Sequence, residues 1–105
     1  MPSFGKVIVV KKDGSEGAFF DIESDITIGR DKSCDIHMKL NSVSRTHAKM
    51  FIDENGCCNL ENLSKTNPTF VNGKPILGVH ILNNKDQITI GDRSFVFQSS
   101  EFIFL

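Results

Sequence analysis

The sequence predicts an all-β fold built of many short strands, a sandwich or a barrel. Three observations predict it. Apolar and β-branched residues alternate with polar ones in short runs. Turn-forming clusters interrupt the chain throughout. No stretch of about ten residues carries a helical period bounded by caps. Many short strands with frequent turns close into a sandwich or barrel.

The elements follow in order. Val7 to Lys11 is β-branched and apolar, and Asp13-Gly14-Ser15 turns the chain back into Ala18 to Ile22. Asp25 to Arg30 puts Ile26 and Ile28 on one face and Thr27 on the other. Asp35 to Leu40 alternates again through Ile36, Met38 and Leu40. Ala48, Met50 and Ile52 mark the next strand, closed by Asp53-Glu54-Asn55-Gly56. Cys57 to Leu63 returns, and Val71 leads into Asn72-Gly73, the strongest two-residue hairpin signal in the chain. Val79 to Leu82, Gln87 to Ile90 and Ser94 to Gln98 complete the set, with a short end strand at Phe102 to Leu105. Ile26-Thr27-Ile28-Gly29 recurs as Ile88-Thr89-Ile90-Gly91, which marks two similar strands that each leave their sheet at a glycine.

The totals narrow the function. At 105 residues the chain is one domain, 1–105, with room for a single core. All nine aromatics are Phe, so there is no Tyr or Trp platform for stacking bases. The net charge is −1, so a nucleic-acid partner is not expected and any positive site must be local. No apolar run reaches the length of a membrane span, and Lys6 precedes only Val7-Ile8-Val9-Val10, so an intracellular protein without membrane attachment is expected. Three cysteines, Cys34, Cys57 and Cys58, form no Cys-x-x-Cys spacing, and neither a metal nor a cofactor is implied. Adjacent Cys57 and Cys58 would face opposite sides of a strand. Asn62-Leu63-Ser64 matches a glycosylation acceptor, an accident where no secretory signal is seen.

Four polar clusters remain, each at a turn: Gly29-Arg30, Ser44-Arg45-Thr46-His47, Thr66-Asn67 and Asn72-Gly73. Two guanidiniums, two hydroxyls and an amide suit a phosphate on an extended peptide. Arginine forks match phosphate oxygens bidentately. A serine hydroxyl and loop amides make an anion nest, and an Asn amide both donates and accepts. Alone, Arg30 would read as a solvated rim charge and Ser44 as a turn former. His47 reads as a hydrogen-bonded structural residue, since no carboxylate or Cys stands at a catalytic or metal spacing from it. No nucleophile–base–orienter set is present, so no enzyme is expected. His37 and His80 carry no assigned role, and Lys65 is either solvated or steers anionic peptides.

In this order on a β-rich chain, Gly29-Arg30, Ser44-x-x-His47 and Thr66-Asn67-x-x-Phe70-Val71-Asn72-Gly73 resemble the forkhead-associated (FHA) domain, from Lys6 to Gln98. The resemblance implies an eleven-stranded, two-sheet antiparallel sandwich whose functional loops at one end bind phosphothreonine peptides. It implies that Arg30, Ser44 and Arg45 contact the phosphate, with Thr66 near it and Asn67 on the peptide main chain. Gly29 and His47 would support the loops, and Asn72 and Gly73 would shape a turn. The partner implied is a phosphothreonine-containing protein, with no small-molecule substrate and a monomeric domain. Two departures stand out: Pro68 follows Asn67, and Lys85-Asp86 replaces the frequent Gly-Asp. Thr66-Asn67-Pro68-Thr69 and Gly91-Asp92-Arg93-Ser94-Phe95 resemble a nuclear member of the family, so a nuclear address is expected. The alternative is a phosphate-independent interaction or dimerisation domain using a sheet face around Phe19, Phe20, Phe102 and Phe104.

Overall fold

The computed structural model describes residues 4–100 and contains eleven strands. They are β1 (Gly5–Val10), β2 (Glu16–Asp21), β3 (Ile26–Gly29), β4 (Ile36–His37), β5 (Ala48–Ile52) and β6 (Cys58–Asn62), then β7 (Thr69–Val71), β8 (Lys74–Pro75), β9 (Val79–Ile81), β10 (Gln87–Ile90) and β11 (Arg93–Ser99). One sheet runs β2-β1-β11-β10-β7-β8 and the other β4-β3-β5-β6-β9. No helix occurs among the described residues. The expected strand over Phe102 to Leu105 lies outside them.

The period-two pattern decides which residues form the core. Ile26 and Ile28 on β3, Ala48 and Met50 on β5, and Leu60 on β6 meet Val7, Val71, Ile88, Ile90, Phe95 and Phe97 of the other sheet. Thr27 and Gln87, out of phase, stay at least partly in solvent. The packed faces together remove the large apolar side chains from water, the main favourable term in folding.

One pairing corrects the antiparallel expectation: β3 and β4 run parallel, with Ile28 beside Ile36 and Gly29 beside His37. The predicted strand from Asp35 to Leu40 shrinks to two residues for a local reason. Met38 N–H still donates to Gly29 O at 2.8 Å, but Leu40 N–H then turns back to Met38 O at 2.9 Å. Burial keeps alternating through Met38 and Lys39 while the ladder ends.

Turn chemistry holds elsewhere. Asn72 and Gly73 adopt φ of 53° and 83°, the left-handed pair a tight hairpin needs between β7 and β8. Lys85 takes a φ of 74°, where a side chain costs about 1 kcal/mol and glycine none, which is the physical content of its departure from Gly-Asp. Cys57 is exposed in the turn before β6 and Cys58 is buried at its start, and burial pushes the Cys58 thiol up to about 12. Of the four phenylalanines in the sheet-face alternative, Phe19 is 48% exposed with Lys6 Nζ 4.5 Å above its ring, and Phe20 is half-buried. Phe102 and Phe104 lie outside the described residues.

Candidate functional site

Three loops meet at one end of the sandwich: 30–35, 38–47 and 63–68. Main-chain bonds bring the first two together. Arg30 N–H donates to Ser44 O at 2.9 Å and Asp31 N–H to Arg45 O at 3.1 Å. Gly29 lets β3 run against this loop without a gap. A Cβ there would overlap Arg45 O and lie 2.8 Å from Arg45 C and 2.9 Å from Thr46 Cα. Gly91, at the end of β10 in the other sheet, approaches the same loop, and a Cβ on it would stand 2.9 Å from Ser42 Oγ. The two echoed strand ends thus grip one loop from opposite sheets.

Arg30 is exposed, and its Nε–H donates to Val43 O at 2.9 Å, which fixes the guanidinium at the loop edge. Arg45 is also exposed. Its carbonyl accepts the Cys34 thiol at 3.2 Å, so Cys34 is part of the loop's support. Hydrogen bonds from Ser33 hold the Asp31 carboxyl below its usual range, and the nearby Arg45 charge adds to this.

The third loop joins through hydroxyls. Ser44 Oγ lies 2.6 Å from Ser64 Oγ and 3.5 Å from Thr66 Oγ1. Ser64 Oγ accepts Asn67 N–H at 3.1 Å and Thr66 N–H at 3.4 Å. Ser64 Oγ thus ties the 63–68 loop to Ser44 through a hydroxyl–hydroxyl bond. Such a chain of bonds, running from Asn67 through Ser64 and Ser44 to Thr66, strengthens each member. Asn67 Nδ2–H donates to Ser42 O at 2.9 Å, tying the amide to the second loop.

His47 sits behind all three and is fully buried. Its Nδ1 accepts Ser44 N–H at 3.1 Å. A backbone amide only donates, so Nδ1 is unprotonated and Nε2 carries the proton towards Pro68 O at 3.5 Å. Its carbonyl accepts Leu63 N–H at 2.8 Å and Ser64 N–H at 3.1 Å. Pro68 therefore serves as an acceptor, and the trans chain around it leaves Asn67 bonded to Ser64.

Burial lowers the His47 pKa below 6.5, against the weaker opposite effect of the Pro68 and Asn67 carbonyls. The unfolded imidazole thus binds a proton more readily than the folded one. The stabilisation from neutral His47 is present above pH 6.5 and is lost as pH falls through the folded value. Melting temperature should drop on acidification from pH 7 to about 5, and the His47 ring should titrate below its unfolded value by NMR. A His47 that titrates at or above 6.5 would contradict its burial as a neutral ring behind the three loops.

The structure thus brings Gly29, Arg30, Ser44, Arg45, His47, Thr66 and Asn67 together. It does not bring Asn72 and Gly73 there. They lie at the far end of β7, where Asn72 Nδ2–H donates to the buried Asp86 at 2.9 Å and its Oδ1 accepts Gln87 N–H at 2.9 Å. His80 joins them, 3.7 Å from Asp86. Reading the sequence missed Ser64 and Asn62. Asn62 Oδ1 accepts the Thr69 hydroxyl at 2.9 Å, and its Nδ2–H donates to Ser64 O at 3.1 Å. The only signal was the polar string itself, since the key partner of Ser64 is twenty residues away. Two shallow clefts flank the cluster. One of about 420 Å³ is lined by Ser42, Asn67, Pro68, Phe70, Gly91 and Asp92, and one of about 480 Å³ begins at Arg30.

Residues 26–91 match the family described as the FHA domain. The chain is 39% identical over 99 residues to the proliferation marker protein Ki-67 of Mus musculus, covering 93% of this chain and 3% of that protein. It is 33% identical over 98 residues to the oxoglutarate dehydrogenase inhibitor of Corynebacterium efficiens, covering 92% of this chain and 68% of that one. Among solved structures, EmbR of Mycobacterium tuberculosis in complex with a low-affinity phosphopeptide superposes with a TM-score of 0.78 at 26% identity, covering 94% of this chain and 26% of that one.

Proposed function

This chain belongs to the FHA domain family, and on that premise we propose that its loop end binds phosphothreonine peptides and so joins proteins in a phosphorylation-dependent way. The observation that carries the reading is the ordered hydroxyl chain from Asn67 through Ser64 to Ser44, set beside an arginine whose Nε is already held by Val43 O. Fixing Nε leaves the two Nη groups to fork a phosphate. Ser44 donates to a further oxygen and Arg45 adds charge, while Thr66 borders the same point. The Asn67 amide retains an oxygen and an N–H for a peptide main chain.

The activity proposed is binding, with no bond made or broken. Each charge-assisted bond is worth about 1.5–3 kcal/mol before the cost of ordering the peptide. Two or three of them, offset by peptide ordering, give roughly micromolar affinity or weaker. A phosphate gains its second charge near pH 6, so binding strengthens as pH rises through that value. The nuclear address belongs to the same reading, supported by the similarity to Ki-67, as does a phosphothreonine-bearing protein as partner.

Calorimetry with matched threonine, phosphothreonine and phosphoserine peptides tests the proposal. The phosphothreonine form should bind at about micromolar strength and the unphosphorylated form at least about a hundredfold more weakly. Equal binding of the two would refute the proposal.

A further inference from the structure

The cleft that begins at Arg30 continues away from the hydroxyl cluster. Arg30, Lys32, His37, Lys39 and Asn41 line it, so it holds three permanent cations and an imidazole and no carboxylate. The backbone explains the row. Gly29 pairs with His37 across the parallel β3–β4 ladder, which sets Arg30 beside β4. His37 and Lys39 are exposed with Met38 buried between them, so they share one face, about 6.5 Å apart along the chain. That spacing matches alternate side chains of an extended peptide.

Nearby acids are hydrogen-bonded within their own loops, and the Asp31 carboxylate also interacts electrostatically with Arg45 and His37. Asp31 Oδ1 accepts Ser33 N–H at 3.0 Å, and Asp35 Oδ2 accepts both Thr27 N–H at 2.9 Å and the Thr27 hydroxyl at 3.1 Å. The ion pairs among the described residues join His80 to Asp86 and Arg93 to Asp92, and neither touches this cleft. On a chain of net charge −1 the charge is therefore segregated: a separate cleft of about 450 Å³ gathers Asp21, Glu23, Asp25 and Asp35. Asp31 offsets part of the positive charge near His37, but Arg30, Lys32 and Lys39 still line one cleft with no carboxylate in its walls, so an incoming anion is attracted there.

We propose that the Lys32–His37–Lys39 cleft is a second anion subsite, which takes a carboxylate or a second phosphate from the same peptide whose phosphothreonine sits at Arg30 and Ser44. This rests on the function proposed above and narrows its substrate class to peptides with at least two anionic groups. A peptide fits better than a nucleic acid, because a long polyanion would also meet the acidic cleft.

The test uses the full chain, a phosphothreonine peptide with neutral flanks, and two series that add one Glu or one phosphoserine, moved residue by residue along both flanks. At its best position the added anion should tighten binding by about three- to tenfold, and less at high salt, because each exposed pair is individually weak. The double variant Lys32→Gln/Lys39→Gln should bind the neutral peptide as the unaltered chain does and lose the gain. A gain from phosphoserine alone assigns the subsite to a second phosphate, and a gain from Glu as well admits acidic side chains. No gain at any position, or a gain that survives the double variant, overturns the subsite while leaving the phosphothreonine reading intact. Failure of the neutral phosphothreonine peptide to bind the unaltered chain overturns both. A short oligonucleotide whose binding depends on Lys32 and Lys39, where acidic peptides show no gain, reassigns the cleft to nucleic acid.

Discussion

Arg30→Ala should reduce affinity for a phosphothreonine peptide by at least about thirtyfold and leave the fold standing. Truncating one side of a hydrogen-bonded charge pair costs about 2–5 kcal/mol, because the phosphate it served is left desolvated and uncompensated. The folded protein loses far less. Arg30 is exposed, and its Nε–H bond to Val43 O is a single side-chain contact at the loop edge. Its backbone bond to Ser44 O does not depend on the side chain. Melting temperature should therefore move by only a few degrees. Arg30→Lys separates charge from shape, since an ammonium keeps the positive charge but cannot fork two oxygens. It should restore only part of the affinity. Calorimetry on the three proteins with one peptide reads the result, and retained affinity in Arg30→Ala would move the site elsewhere.

The second large effect is at Gly29. An added methyl would collide with Arg45 O, Arg45 C and Thr46 Cα, all main-chain atoms with no rotamer to escape into. Either β3 or the 38–47 loop must shift, and overpacking of this kind costs about 1–3 kcal/mol. For a domain of this size that is a drop of about 5–20 °C in melting temperature. Gly29→Ala should also weaken peptide binding in the protein that remains folded, because the shifted loop carries Ser44 and Arg45. Gly73→Ala is the contrast: its φ of 83° strains an L residue, but nothing stands within 4 Å of the new Cβ and the turn is at the other end of the sandwich. It should lower stability and spare affinity. A Gly29→Ala protein with unchanged melting and unchanged binding would mean that the loop gives way freely.

Much of this was legible in the sequence because its signals are local. The period-two runs at Ile26 to Ile28, Ala48 to Ile52 and Gln87 to Ile90 name their own buried faces. Asn72-Gly73 names its own turn. Arg30, Ser44, Arg45, Thr66 and Asn67 stood out as one candidate set because charged, hydroxylic and amide residues at strand ends have a distinctive chemistry, and the structure brings them together. What was not legible depends on partners distant in the chain. The parallel β3–β4 pairing follows from how Asp31 to Asp35 wraps, and short apolar runs do not declare direction. Ser64 looked like one polar residue among several until Ser44 was placed 2.6 Å away. The acceptors Val43 O, Ser42 O and Pro68 O are main-chain atoms, and no residue type announces them.

The grip of Gly29 and Gly91 on the 42–46 loop bears on how such a reader could diversify. On the Gly29 side the loop is held where backbone meets backbone: Ser44 O and Arg45 O are acceptors for Arg30 and Asp31, and Arg45 is approached through its main chain, while Gly91 closes on the side chains of Ser42 and Val43. The side chains of Asn41, Arg45 and Thr46 are exposed and take no part in that grip. Pose and chemistry are therefore encoded by different atoms. Successive substitutions at these exposed positions can retune which peptides are accepted without re-solving how the loop is held, so the two glycines confer evolvability on residues they never contact through a side chain.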